Sequence, residues 1–198
     1  MHSGTKYLAG HSDALIGLAT VSPTTHRGKD LSSILKSVQI DTGGVASPWD
    51  CWLTLRGLRT LQVRLDRQCK TALSLAEFLN SQELVTRVHY PGLPCHPQHE
   101  VAKFQMNGGF GGVLSLEFDS EILATAFAGA LKIIKRATSL GGTETLIEHR
   151  ASVEPPSRTT SPPGLLRVSV GLEDPNDLIN DVSRALAITN QIRLDEEL

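Results

Sequence analysis

The sequence holds no long apolar run. No stretch of its 198 residues is apolar enough to span a bilayer, and its first residues lack the charged-then-apolar pattern of a secretory leader. There is no basic run and no acidic tail, and the formal net charge is −2. That excludes the positive field on which nonspecific nucleic-acid binding depends. Cysteine is scarce: Cys51, Cys69 and Cys95 lie far apart and form no Cys-x-x-Cys pair. An odd, sparse set fits a reducing, cytoplasmic setting, with all three thiols in packing or surface roles. Cys95-His96-Pro97-Gln98-His99 brings soft ligands together. No second cluster completes a zinc spacing, however, and Pro97 breaks the helical i,i+4 geometry, so no metal is expected.

What is present suits a soluble globular chain: 40% hydrophobic and 20% charged residues, in a length for one large domain or parts of two. Residues 14–21 are apolar and read as a short strand. Residues 22–29, with Thr, Pro, Gly and His, read as a loop. Residues 31–40 suit a short amphipathic helix, which Thr42-Gly43-Gly44 ends. Ser47-Pro48-Trp49-Asp50 then supplies a capping serine, a proline at the first helical position and an acid in the first turn. From there one long helix is expected. Its apolar stripe would be Leu55, Leu58, Leu61, Leu65, Cys69, Ala72, Ala76 and Leu79.

Beyond Asn80 strands and helices alternate. Strands are expected over residues 85–90, 113–118, 133–137 and 166–170. Helices are expected over 98–106 and 122–131, and a last one opens at Asp174-Pro175. Residues 152–164 are rich in Pro, Ser and Thr and read as loop. Gly108-Gly109-Phe110-Gly111-Gly112 precedes a strand, whereas a phosphate loop follows one, so it reads as a turn with close backbone approach. The sum is an α/β or α+β chain.

The chemistry begins with Ser3-Gly4-Thr5-Lys6-Tyr7. A lysine that attacks an aldehyde must be partly neutral, and neighbouring hydroxyls suit a phosphate. By chemistry alone, a surface lysine in a Ser/Thr turn is the favoured reading.

A series of blocks in order tips that balance. After Ser3-Gly4-Thr5-Lys6 come Ser47-Pro48-Trp49-Asp50-Cys51-Trp52-Leu53 and Arg56-Gly57-Leu58-Arg59-Thr60-Leu61. Val88-His89-Tyr90-Pro91-Gly92-Leu93, His96-Pro97-Gln98-His99-Glu100 and Phe110-Gly111-Gly112 follow. The last two are Ser139-Leu140-Gly141-Gly142-Thr143-Glu144-Thr145-Leu146-Ile147 and Leu166-Arg167-Val168-Ser169-Val170-Gly171-Leu172-Glu173-Asp174. In order and spacing they resemble the Cys/Met-metabolism family of pyridoxal-phosphate (PLP) enzymes, the cystathionine γ-synthases and the γ- and β-lyases.

The resemblance implies an α/β fold, the C-terminal part of a PLP-dependent transferase of fold type I. Residues 1–46 would end the PLP-binding large domain, 47–81 would form the long linking helix, and 82–198 the small domain. Lys6 would hold the cofactor covalently and shuttle the substrate α-proton. Ser3 and Thr5 would hydrogen-bond its phosphate. Arg167 would grip the substrate α-carboxylate, with Ser139 and Leu140 beside it. The parent reaction would be elimination or replacement on a small sulfur amino acid or activated homoserine. The family's oligomer is a homotetramer.

The sequence also departs from the family. The ring-stacking aromatic, the aspartate on the pyridine nitrogen and the Tyr/Arg pair that reaches across the dimer have no counterparts here. Met1 then reads as an internal methionine, as the start of a truncated product or as that of a deliberate short form. Catalysis by these residues alone is expected to be very weak or absent. A non-catalytic partner for a full-length subunit is the alternative. Thr138 stands where synthases and γ-lyases often carry Glu, leaving β against γ chemistry open.

Overall fold

Ser47 starts the most clearly signalled helix. Its hydroxyl accepts the Asp50 N–H at 3.0 Å, and Pro48 opens the first turn, where no N–H partner is needed. A computed structural model describes residues 1–196, and the chain divides into two units, Met1–Leu61 and a second from Gln62 onward.

In the first unit, strand β1 (His2–Ser3) pairs antiparallel with β2 (Gly17–Leu18). A wide helical turn, Gly4–Leu8, follows β1. Helix α1 (His26–Thr42) begins earlier than its apolar residues suggest, because Thr25 caps it by accepting the Gly28 N–H at 3.0 Å. The residues just before its apolar part, read as loop in the sequence, are its first turn. Gly43 ends it at φ 68, in the left-handed region that glycine enters without a Cβ clash. Helix α2 (Pro48–Leu58) packs tightly on the lysine turn: a Cβ at Gly57 would lie 2.0 Å from the Ala9 carbonyl oxygen.

The single helix expected over residues 47–81 forms as two, α2 and α3 (Leu61–Asn80). The break lies at Arg59-Thr60, where the ladder tightens. Thr60 returns both its N–H and its hydroxyl to the Gly57 carbonyl, each at 3.2 Å. The apolar stripe also shifts. Leu55 is exposed and Leu61 and Leu65 are half-buried, while Arg64, Gln68 and Thr71 turn inward. The stripe holds from Ala72 through Ala76 to Leu79.

The second unit is built on a five-stranded sheet, ordered β3-β4-β7-β6-β5. The strands are β3 (Arg87–His89), β4 (Val113–Glu117), β5 (Lys135–Arg136), β6 (Leu146–His149) and β7 (Leu165–Ser169). All pairs are antiparallel except β5–β6. Period-two alternation sends Val88, Leu114, Leu116, Leu166, Val168 and Ile147 into one core. Helices α3, α5 (Glu121–Ala130) and α7 (Pro175–Glu196) contribute Leu75, Leu79, Phe127, Leu178 and Val182 to it. Short helices α4 (His99–Gln105) and α6 (Arg150–Val153) complete the unit. The glycine-rich stretch is a close-approach turn: Gly109 has φ 136, and a Cβ there would stand 2.7 Å from that of Cys69.

Candidate functional site

The lysine turn is fixed by backbone bonds rather than by regular helix. Gly4 N–H donates to the Ile16 carbonyl at 2.8 Å, and Gly10 N–H donates to the Lys6 carbonyl at 2.8 Å. Lys6 departs from helical geometry at ψ −124. The Thr5 hydroxyl accepts the Ile16 N–H at 3.0 Å, so it ties the turn to the segment before β2. Ser3 is exposed on β1, opposite Gly17. Ser3 and Thr5 share a shallow depression with Met1, His2, Leu15, Ile16 and Gly17. Its lining offers hydroxyls and an imidazole and no carboxylate. Lys6 itself is half-buried. The three residues singled out at this end of the sequence therefore lie at the end of β1 and in the turn that follows it.

The second cluster lies in the sheet unit. Cross-strand register sets Ser115, Arg167 and Glu148 in one row across β4, β7 and β6. Arg167 points away from the core that takes its neighbours Leu166 and Val168, and its side chain is 22% exposed. Its Nη2 donates to the Ser139 carbonyl at 2.8 Å and to Glu148 Oε2 at 2.5 Å. Ser139 and Arg167, far apart in sequence, are thus in direct contact. Leu140 follows in the same loop, half-buried.

That loop is held at three points. Besides the Arg167 contact, Gly141 N–H donates to Ser169 Oγ at 2.9 Å, and Gln68 Nε2 donates to the Gly142 carbonyl at 2.7 Å. Ser139 adopts φ 86, a left-handed conformation that a residue with a Cβ rarely takes. Such a conformation persists only where its surroundings enforce it, and it is often found at ligand-binding positions.

Sequence reasoning missed Glu148, Arg150, Glu154 and Gln68. Glu148 is nearly fully buried, and both oxygens are taken, Oε1 by Arg150 and Oε2 by Arg167. The Glu148 bond raises the Arg150 pKa; burial opposes it in part, and the Glu148 and Glu154 charges add to it. Glu154 is held down to about 2, first by the Ser161 hydroxyl and then by the Thr160 and Ser161 N–H groups. Glu148 could have been suspected from its apolar neighbours Leu146 and Ile147. The pairing with Arg167 is a matter of strand register and leaves no local trace.

The family model of the Cys/Met metabolism PLP-dependent enzymes matches residues 1–187. Cystathionine gamma-lyase of Mus musculus is 44% identical over 94% of this chain and 47% of its own length. Cystathionine beta-lyase of Coxiella burnetii is 42% identical over 93% of this chain and 49% of its own. The crystal structure of metB from Corynebacterium glutamicum superposes with a TM-score of 0.83 at 42% identity, covering 94% of this chain and 48% of that one. The chain spans about half the length of the relatives it matches.

Proposed function

The chain belongs to the Cys/Met metabolism family of PLP-dependent enzymes, and on that premise we propose that it carries part of the machinery of a trans-sulfuration enzyme, acting by elimination or replacement on a sulfur amino acid or activated homoserine. Residues 1–46 are assigned to the end of the cofactor domain, 47–81 to the linking segment and 82–198 to the small domain.

The observation that carries the reading is Arg167. It is a guanidinium on a sheet face, tied at one nitrogen to Ser139 and Glu148. A planar fork that stays charged when buried is suited to a substrate carboxylate. Ser139 and Leu140 are assigned to the substrate beside it.

Lys6, Ser3 and Thr5 are assigned to the cofactor. The depression that Ser3 and Thr5 border, with hydroxyls and no carboxylate, fits a phosphoryl group. Bound PLP supplies an electron sink for the bond-breaking at the substrate α-carbon. The Lys6 Nζ removes the α-proton and returns it. Thr5 orients the turn through Ile16, and Ser3 donates from the exposed edge.

We expect the 198 residues tested alone to turn over cystathionine weakly or not at all. The first unit leaves much apolar surface exposed: Ile34, Val38 and Ile40 on or near the apolar face of α1, and Trp49, Trp52 and Leu55 on α2. So many exposed large apolar side chains in one unit favour a covering partner. The same exposure favours a second reading, in which the chain serves as a non-catalytic packing or regulatory partner of a full-length subunit. A homotetramer is the proposed assembly for the complete machinery.

The test is to purify the chain with PLP, follow its yellow absorbance and trap the adduct on Lys6 with borohydride. Stoichiometric trapping at Lys6, absent in Lys6→Ala, supports the cofactor assignment. No trapping, together with co-purification with a full-length enzyme that Lys6→Ala leaves intact, supports the partner reading. Fast turnover of cystathionine by the chain alone would overturn the expectation of weak activity.

A further inference from the structure

The Arg167 guanidinium is tethered by one nitrogen alone. Both of its bonds leave from Nη2, to the Ser139 carbonyl at 2.8 Å and to Glu148 Oε2 at 2.5 Å. Among the described residues nothing bonds its Nη1 or Nε. A buried carboxylate facing a single guanidinium ordinarily closes into a two-bond fork. Here that fork does not form: Glu148 turns Oε1 to Arg150 Nη1 and meets Arg167 through Oε2 alone.

Arg150 is in turn anchored at its far side. Its Nη2 lies 3.4 Å from Glu154 Oε1, and Glu154 accepts the Ser161 hydroxyl at 2.6 Å and the Thr160 N–H at 2.8 Å. Glu154 stays ionised down to about pH 2, so this anchor persists across the working range. The charges follow the same pattern. Glu154 balances Arg150, and Glu148 is shared between two cations, so Arg167 keeps part of its charge for a ligand.

We propose that Arg150 is a positioning residue: by occupying one oxygen of Glu148 it keeps half of the Arg167 guanidinium open to an incoming carboxylate. This deepens the proposed role of Arg167 and rests on it. The ligand class is a carboxylate, which in an amino acid is the α-carboxylate. Removing Arg150 frees Glu148 Oε1, and the Arg167 fork closes on Glu148.

The experiment uses the full chain with its arginine side chains labelled with nitrogen-15. Arg167→Met identifies the Arg167 Nε–H resonance, and acetate is the probe. In the unsubstituted chain acetate shifts that resonance in a saturable way. In Arg150→Met the acetate Kd rises about ten-fold, as expected when a two-bond fork gives way to a single charge-assisted bond. Arg150→Lys, whose ammonium still holds Oε1, restores binding to near the original value. Thermal unfolding checks that each variant is folded. Where Arg150→Met does not fold, Arg150→Gln is read in its place.

An unchanged Kd in Arg150→Met overturns the proposal, as does the absence of any acetate shift at Arg167 in the original chain. The outcomes are distinct from those for the proposed function. Acetate binding that depends on Arg150, in a chain that never traps PLP, sustains the positioning role and sinks the cofactor assignment. Trapping at Lys6 with acetate binding indifferent to Arg150 does the reverse.

Discussion

Replacing Asp181 with alanine should remove a cap on which the segment after α5 depends. Asp181 sits on α7 with its side chain 2% exposed. Its carboxylate accepts the N–H groups of Lys132, Ile133 and Ile134, the shortest at 2.8 Å, and Arg184 Nη2 at 2.5 Å. Arg184 also donates to the Ala130 carbonyl at 2.8 Å, at the end of α5. One acid thus ties α7 to the end of α5 and the approach to β5. A buried donor left bare costs about 1–3 kcal/mol. Only the Ile134 bond is fully buried, so water can serve the other two amides. The loss should therefore be about 3 kcal/mol, or a fall in Tm of roughly 10 °C.

The effect should also depend on pH. Burial alone would raise the Asp181 pKa, but the three N–H bonds and Arg184 outweigh it and the pKa is lowered. The unfolded carboxyl titrates near about 3.9. The Asp181 contribution is then complete above that value and fades as pH falls through the lower folded one. Urea unfolding followed by circular dichroism at pH 7 and pH 3 would measure both features. A loss under about 1 kcal/mol at pH 7, or a gap between original and variant that does not narrow at pH 3, refutes the reasoning.

Other outcomes follow from the same geometry. Gly57→Ala should loosen the first unit, since its Cβ would meet the Ala9 carbonyl at 2.0 Å; faster hydrogen exchange at the Ala9 and Gly10 amides is the readout. Ser120→Ala removes the oxygen that accepts the Leu123 N–H at the start of α5 and should cost about 1 kcal/mol in urea unfolding. Glu154 has its pKa depressed to about 2, so the bonds that hold Thr160 and Ser161 stay complete above its ordinary value of 4.5 and are lost as pH falls toward 2. Glu154→Gln should therefore hasten protease cleavage between residues 154 and 161 at neutral pH. Trp49→Lys with Trp52→Lys breaks the exposed stacked pair, whose centroids are 5.2 Å apart, and should reduce self-association in sedimentation.

Local signals were legible where one residue decides an outcome. Gly43 ends α1, Ser47 caps α2, and Asp174 accepts the Asn176 N–H just before the first turn of α7. Strands β4 and β7 were legible because one face is buried and alternation shows it. Strand β6 went unread: Leu146-Ile147-Glu148-His149 does not alternate cleanly, because its buried acid pairs with Arg167 on the next strand. The break between α2 and α3 was also hidden, since Thr60 is an ordinary residue that acts by turning back to Gly57. The inward turn of Arg64, Gln68 and Thr71 defeats a stripe built on apolarity alone. Gln68 is buried to hold the Gly142 carbonyl, a partner 74 positions away. For the candidate site, the sequence named Lys6, Arg167 and Ser139. It could not name Glu148 or Arg150, which join Arg167 in one ion-pair chain only when β6 lies beside β7.

The sheet of the second unit ends in two short strands that carry positive charge. Strand β5 is only Lys135–Arg136, and at the other edge β3 is Arg87–His89. An open edge invites another chain to add a strand, and brevity with cationic side chains resists it. Two such edges brought together would meet lysine and arginine with their like. The sheet is thus guarded against growth at both ends, and clumping of this chain should run through the tryptophans and aliphatic residues of the first unit. Replacing those residues is then the route to a better-behaved protein, with the sheet left untouched.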